Sequence, residues 1–453
     1  MKQDENRATA LETENIGRLL WKYALPALVG IMVNTSYNVV DRIFIGHGVG
    51  ALAISGLAIT FPIVILQGAF GMLIGVGASA RISIVLGQKN KKWAEKILGN
   101  SVVLSLIFSA IFIVLMLVFL DKILLLFGGT AKTIPFAREY LLILIPASVF
   151  TTLTYSFNNI MRATGYPTKS MMVMVIGAVM NIILAPLFIF VFHWGIKGAA
   201  FATLLSMATT AVFVLQHFFS PSSYLRFHWT NFRLELSVVK SIVSIGLSPF
   251  LMNVAACLVN VILNNALLTH GGELAIGANG VVSSLAVMVV MAAVGLCQGM
   301  QPIVGYNYGA GNYDRMKKAL TMSMQVATVF TTIGFAAAMF FPRQIAMAFT
   351  SDQELVNIAV NGLRTAFVFM PIIGFQIVTS SFFQSIGKVK ISILLSVSRQ
   401  VLFLIPMLLI LPSFYGLSGV WMAIPAADIT SAALTLGILF YNRKLFDLKP
   451  QTI

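Results

Sequence analysis

The chain has 453 residues, 58% of them hydrophobic and 10% charged, with 30 Lys and Arg against 15 Asp and Glu for a net charge of +15. A soluble globular domain carries about 25% charged residues, so this composition excludes one and points to an all-α integral membrane protein. The positive balance would also suit a nucleic-acid partner, but the basic residues are placed as a topological signal, and no nucleic acid is expected.

The N-terminal arm, residues 1–15, is polar and mixed in charge. It lacks the apolar core of a cleaved signal peptide, so the first hydrophobic segment is expected to be retained. Runs of about 20 apolar residues cross a bilayer, and twelve are predicted, over 16–45, 51–84, 92–120, 133–162, 168–192, 196–218, 236–268, 273–306, 313–340, 354–386, 389–411 and 418–441. Connections are short except at 219–235, where Pro221, Ser222, Ser223, Arg226 and Arg233 read as a linker. The chain thus divides into an N-lobe of helices 1–6 (16–218), the linker (219–235), a C-lobe of helices 7–12 (236–441) and a tail (442–453).

In the first span, Asn34, Asn38 and Asp41 fall at i, i+4 and i+7 and share a helical face. A carboxylate at membrane depth costs roughly 2.5–3.5 kcal/mol on insertion scales, so it persists where it faces protein or a watery cavity. Asp41 either binds an ion or substrate, the preferred reading, or clamps two helices through a hydrogen bond. Pro26 in the same span removes a backbone hydrogen bond and permits a bend, either a moving one or a fixed kink that serves packing.

Lys and Arg concentrate in alternate segments. One set holds the arm, Lys89, Lys91, Lys92, Lys96, Arg162, Lys169, the linker, Arg315, Lys317, Lys318, Lys388, Lys390 and the tail. By the positive-inside rule both termini are expected in the cytoplasm.

The halves repeat. A shift of 222 aligns Asn38 with Asn260, Gly77 with Gly299, Gly87 with Gly309 and Gly165 with Gly387, while Pro26 reaches Pro249 at 223. Six spans per half make the two parallel repeats about an axis normal to the membrane, an arrangement found in secondary transporters, although single-chain channels also duplicate. Asp41 falls opposite Leu263 or Asn264, so the second half has no acid there. Asn253, Asn260 and Asn264 give it a neutral polar face instead.

Asp428, in the twelfth span, is the other acid expected at depth, and Arg399 lies at similar depth in the eleventh. A structural ion pair is the preferred reading, since buried charges are usually paired, with a second ion site as the alternative. Cys257 and Cys297 lie in apolar segments and read as small hydrophobes. The five histidines lack metal-ligand spacing, no nucleophile elbow or phosphate loop stands in context, and an enzyme is not expected.

Several stretches, in this order and spacing, resemble the multidrug and toxic compound extrusion (MATE) family over nearly the whole chain. They are Asn38-Val-Val-Asp41-Arg-Ile-Phe-Ile-Gly46, Leu86-Gly-Gln-Lys89, Arg162-Ala-Thr-Gly165, Asn181-Ile-Ile-Leu-Ala-Pro186, Gly198-Ala-Ala-Phe-Ala-Thr203 and Gly305-Tyr-Asn-Tyr-Gly-Ala310. The resemblance is greatest to the bacterial branch whose coupling acid lies in the N-lobe. It implies cation-coupled antiport of drug-like, often cationic compounds, from a bacterial cytoplasmic membrane protein, expected as a monomer without cofactor. Asp41 matches the coupling acid, Asn181 and Thr203 match residues that help form its site, and Tyr37 and Asn158 match cavity-lining positions. Asn34, Asn38, Asn260 and Asn264 complete the expected substrate cavity. Relatives often carry a second Asp before the proline that matches Pro186, where this chain has Ala185. That favours a proton over sodium, with a sodium ion at Asp41, Asn181 and Thr203 as the alternative and no other metal expected. The runner-up function is a flippase for lipid-linked saccharides or another lipid precursor, which would need a cationic cavity from residues such as Arg364 and Arg399. A channel is the third.

Overall fold

The structure, a computed structural model, describes residues 10–443. The expected arm up to residue 9 and the tail from residue 444 lie outside the described residues. The order is α1 (Ile16–Gly48), α2 (Ala51–Gly87), α3 (Lys91–Leu126), α4 (Ile134–Ala163), α5 (Pro167–Pro186) with a π-helical turn (Leu187–Val191), and α6 (Gly195–Phe219). A 3₁₀ turn (Trp229–Phe232) precedes α7 (Leu236–Gly309), α8 (Tyr313–Phe340), α9 (Pro342–Met347), α10 (Gln353–Ala366) and α11 (Met370–Ser385). Last come α12 (Val389–Val397), a second π-helical turn (Ser398–Leu404) and α13 (Ile405–Tyr441).

Nine helices among the described residues are long and apolar enough to cross a membrane, and α10 with α11, bent by 55°, makes a tenth. Two of these runs hold a glycine outside the helical region, Gly272 (φ 67, ψ −166) in α7 and Gly416 (φ 57, ψ −137) in α13. A side chain would strain a backbone at positive φ, so glycine is what lets the chain break there. The two breaks divide two runs into four segments and bring ten to the twelve that the sequence predicts.

Some boundaries differ from expectation. The third span extends over Lys91–Leu126 rather than 92–120. The expected helix 354–386 is broken at Phe367–Phe369, where Pro371 near the start of α11 has no N–H to continue the ladder. Helix starts carry their own signals. Asn90 accepts from Trp93 N at 3.1 Å, and Asp352 accepts from Glu354 N at 2.9 Å and Leu355 N at 3.3 Å.

The chain forms two compact units. The first contains Leu25–Phe250, and the second contains Asn15–Ala24 with the described residues from Leu251 onward. The chain therefore passes from one unit to the other inside α1 and again inside α7, next to Pro26 and Pro249. Both transferred segments seat on a glycine. In the first unit a Cβ on Gly77 would stand 2.1 Å from the carbonyl oxygen of Ile242; in the second, a Cβ on Gly299 would stand 2.6 Å from the Ala24 backbone. The 222-residue repeat thus extends to the glycines that admit another backbone.

The 219–235 segment is docked rather than loose. Asn100 on α3 donates to the carbonyls of Asn231 (3.0 Å) and Arg233 (3.2 Å) and accepts from Glu235 N (3.0 Å), while Lys96 pairs with Glu235 at 2.7 Å. The first unit's core includes Ile45, Tyr140, Leu144, Ala185, Ile189 and Ala199; the second's centres on Leu267, Ala278, Phe367 and Trp421. Cys297 is buried and Cys257 half-buried, and both are free thiols.

Candidate functional site

Along α1, Asn34, Tyr37, Asn38 and Asp41 stand at spacings of three, four and seven, on one side of the helix. Asp41 is 8% exposed, and its Oδ1 is buried with no hydrogen-bond partner among the described residues. No basic side chain among them reaches it at ion-pair distance. Arg42 is exposed and lies over the Phe61 ring, 5.4 Å from its centroid. A buried carboxylate in this state is costly unless it takes a proton, a cation or a donor.

Two tyrosines stand near it, and a third meets the same face of α1 at Asn34. Tyr37 lies within electrostatic reach of Asp41 and of Tyr155. Tyr140, on α4, lies within reach of both Asp41 and Tyr37 and interacts through its side chain with Thr203. Tyr155, four turns further along α4, interacts with Asn34. Beyond Tyr140, the Asn181 side chain on α5 donates Nδ2 to Thr203 Oγ1 at 3.1 Å, and Thr203 donates to the Ala199 carbonyl at 3.0 Å. The Asn181 Oδ1 is buried and, like Asp41 Oδ1, has no partner among the described residues.

The donors of this region are a carboxylate, an amide oxygen and hydroxyls. An all-oxygen set of that kind suits a hard cation, and a lone carboxylate equally suits a proton. Ala185 is fully buried in the apolar cluster with Ile45, Tyr140, Ile189 and Ala199. The same cluster begins one turn past Asp41, at Ile45, and seals that end of the polar region with hydrocarbon. Another face of α1 (Val39, Arg42, Ile43, Gly46 and His47), with Ile54, lines a cavity of about 550 Å³.

The other sequence-derived residues divide. Asn158 is 5% exposed, and its amide is held by protein: Nδ2 donates to the Ser170 carbonyl at 2.8 Å, and Oδ1 accepts from Ser170 Oγ at 2.6 Å and Arg162 Nη2 at 3.0 Å. Asn260 and Asn264 belong to the second unit and are exposed. Asn260 Nδ2 donates to the Ala256 carbonyl at 2.8 Å, as Asn38 Nδ2 does to that of Asn34 at 2.7 Å. Arg399 and Asp428 form an ion pair, Nε to Oδ1 at 2.7 Å. Tyr140 and Tyr155 were not singled out from the sequence. A polar-tipped aromatic inside an apolar helix, which needs a partner for its hydroxyl when buried, was the available signal.

The profile of the MatE family matches the chain in two blocks, residues 26–187 and 245–410. The multidrug export protein MepA of Staphylococcus haemolyticus is 27% identical over 432 residues, 95% of each chain. A solved structure described as the outward-facing conformation of a multidrug resistance MATE family transporter of the MOP superfamily superposes with a TM-score of 0.91 at 26% identity, covering 98% of each chain. A MOP superfamily transporter from Pyrococcus furiosus, for which reverse polarity of the binding pocket is said to suggest a different function, gives 0.90 at 26% identity over 97% of this chain and 98% of that one.

Proposed function

The chain belongs to the MatE family, and from that premise we propose that it exports drug-like, often cationic organic compounds in exchange for protons or sodium ions. The observation that carries this reading is Asp41, a buried carboxylate with one oxygen unpartnered among the described residues and no counterpart in the second repeat. With the cation bound, the charge of Asp41 is neutralised and the first unit's helices rearrange, with Pro26 as the point where α1 bends. This weakens the hold on the substrate, which leaves to the outside. The emptied carrier turns inward and releases the ion, and the bare carboxylate then favours a new cationic substrate. Exchange requires that ion and substrate compete for one charge, because a ligand shifts a conformational equilibrium only through differential affinity.

Ala185 leaves the oxygen set without a second carboxylate, which favours the proton. Sodium held by Asp41, Asn181, Thr203 and carbonyls is the alternative. The carrier resides in a bacterial cytoplasmic membrane with both termini inside, and works as a monomer. Asp41 and its uncharged polar neighbours suit a cation better than the phosphates of a lipid precursor, so export is preferred to flipping.

Purified protein in lipid vesicles tests this reading. Efflux of a cationic dye is expected to follow an imposed proton gradient more strongly than a sodium gradient, and Asp41→Asn is expected to lower driven efflux about a hundredfold, to background. Undiminished driven efflux by that variant would refute the coupling role.

A further inference from the structure

Arg399 and Asp428 neutralise one another, yet the pair is incompletely satisfied. A guanidinium and a carboxylate that serve only each other commonly meet in parallel, two N–H groups on two oxygens. Here a single Nε–Oδ1 contact of 2.7 Å joins them, and Asp428 Oδ2 is buried with no partner among the described residues. The two side chains also differ in access, 24% exposed for Arg399 and 1% for Asp428. Arg399 therefore presents guanidinium N–H groups that bond no described residue.

The location sharpens this. Arg399 lies ten residues into the run that begins at Val389, about 15 Å along a helix, half of a hydrocarbon core about 30 Å thick. Lipid headgroups do not reach that depth, and a guanidinium turned to hydrocarbon there costs roughly 2.5–3.5 kcal/mol. The accessible quarter of Arg399 is affordable where it faces a watery hollow. Its own helix makes it polar: Ser392, Ser396 and Arg399 follow at i, i+4 and i+7, and Ser396 Oγ hydrogen-bonds Ser380 Oγ on α11 at 2.7 Å. Arg399 also sits in the π-helical turn Ser398–Leu404, a distortion frequent at functional sites.

We propose that Arg399 is an oxyanion subsite of the second unit, which takes the carboxylate of an acidic or zwitterionic organic substrate while Asp428 anchors the guanidinium from behind. The remaining N–H fork matches the planar geometry of a carboxylate. Because Asp428 already cancels one charge, the subsite suits a singly charged group rather than a pyrophosphate. The substrate class rests on the exporter reading; the binding event does not.

Titration calorimetry of the purified wild-type protein with 2-naphthoate and with 2-naphthamide, equal in shape and different in charge, tests it. The carboxylate is expected to bind at least about tenfold tighter, the scale of a hydrogen bond to a charged group. Arg399→Lys keeps the charge without the fork and is expected to lose several-fold in carboxylate affinity. The double variant Arg399→Gln/Asp428→Asn leaves no buried charge unpaired; it is expected to bind the two probes equally, with naphthamide affinity unchanged. Equal binding by the wild type, or a preference that survives in the double variant, would overturn the proposal, and the wild-type comparison stands even where a variant fails to fold. Calorimetry needs no gradient. A protein that pumps a cationic dye but treats both probes alike sinks this subsite and spares the exporter; one that prefers naphthoate but drives no efflux does the reverse.

Discussion

Among the described residues each unit buries one carboxylate within its helices, Asp41 in the first and Asp428 in the second, and the two are handled in opposite ways. Asp428 has Arg399 at 2.7 Å, whereas Asp41 has no ion-pair partner among the described residues and lies near Tyr37 and Tyr140. A paired buried charge has part of its desolvation cost offset where it stands. An unpaired one is a standing demand for a proton, a cation or a ligand. One buried carboxylate stands in each lobe; Asp428 has a charged partner and Asp41 has none among the described residues.

The largest expected stability effect follows from opening the closed pair. Arg399→Leu leaves Asp428 charged and buried, and is expected to destabilise the protein by about 3–5 kcal/mol in a detergent thermal melt, most of it recovered when Asp428→Asn is added. Recovery distinguishes an uncompensated charge from lost packing. Next come the glycines that the repeats share. Gly77→Ala sets a methyl 2.1 Å from the Ile242 carbonyl oxygen and is expected to cost more than Gly299→Ala, whose nearest backbone atoms stand at 2.6 Å; about 1–3 kcal/mol or more is the scale for overpacking. The same melt ranks them.

Smaller, and opposite in sign, is Asp41→Asn. Because no pair is broken, that variant is expected to melt no lower than the wild type and to gain up to about 1 kcal/mol while it loses transport, as functional sites that hold strain often do. A loss of several kcal/mol would instead mark Asp41 as a structural clamp. The smallest effect is expected from Thr203→Val, which removes the hydroxyl that receives Asn181 Nδ2: a few-fold weaker dependence of efflux on the driving ion, with dye affinity retained.

Much of this arrangement was legible in the sequence because bilayer thickness and hydrophobic runs fix the spans, and a 222-residue shift exposes the repeat. The breaks at Gly272 and Gly416 fell close to the predicted gaps at 269–272 and 412–417, since a glycine there admits positive φ. Periodicity could not foresee that the first segments of α1 and α7 pack within the opposite unit, because an apolar helix face does not name its partner. Nor could it foresee that Asn158 is held by Ser170, a contact across the turn between α4 and α5. The π-helical turns were equally hidden, as Ser398–Leu404 reads like its helical flanks. Of the site, the α1 face was readable from spacing, and Asn181 and Thr203 from resemblance. Tyr140 and Tyr155 escaped because tyrosine in an apolar span also reads as an interfacial anchor.

The central claim is that one carboxylate is shared in turn by ion and substrate. The measurement that bears on it most directly is the affinity of purified protein for a cationic dye, across pH and sodium concentration, in wild type and Asp41→Asn. Wild-type affinity is expected to fall as protons, or sodium ions, are added, and the variant is expected to bind weakly with no dependence on either. A variant that keeps the wild-type dependence would contradict the account.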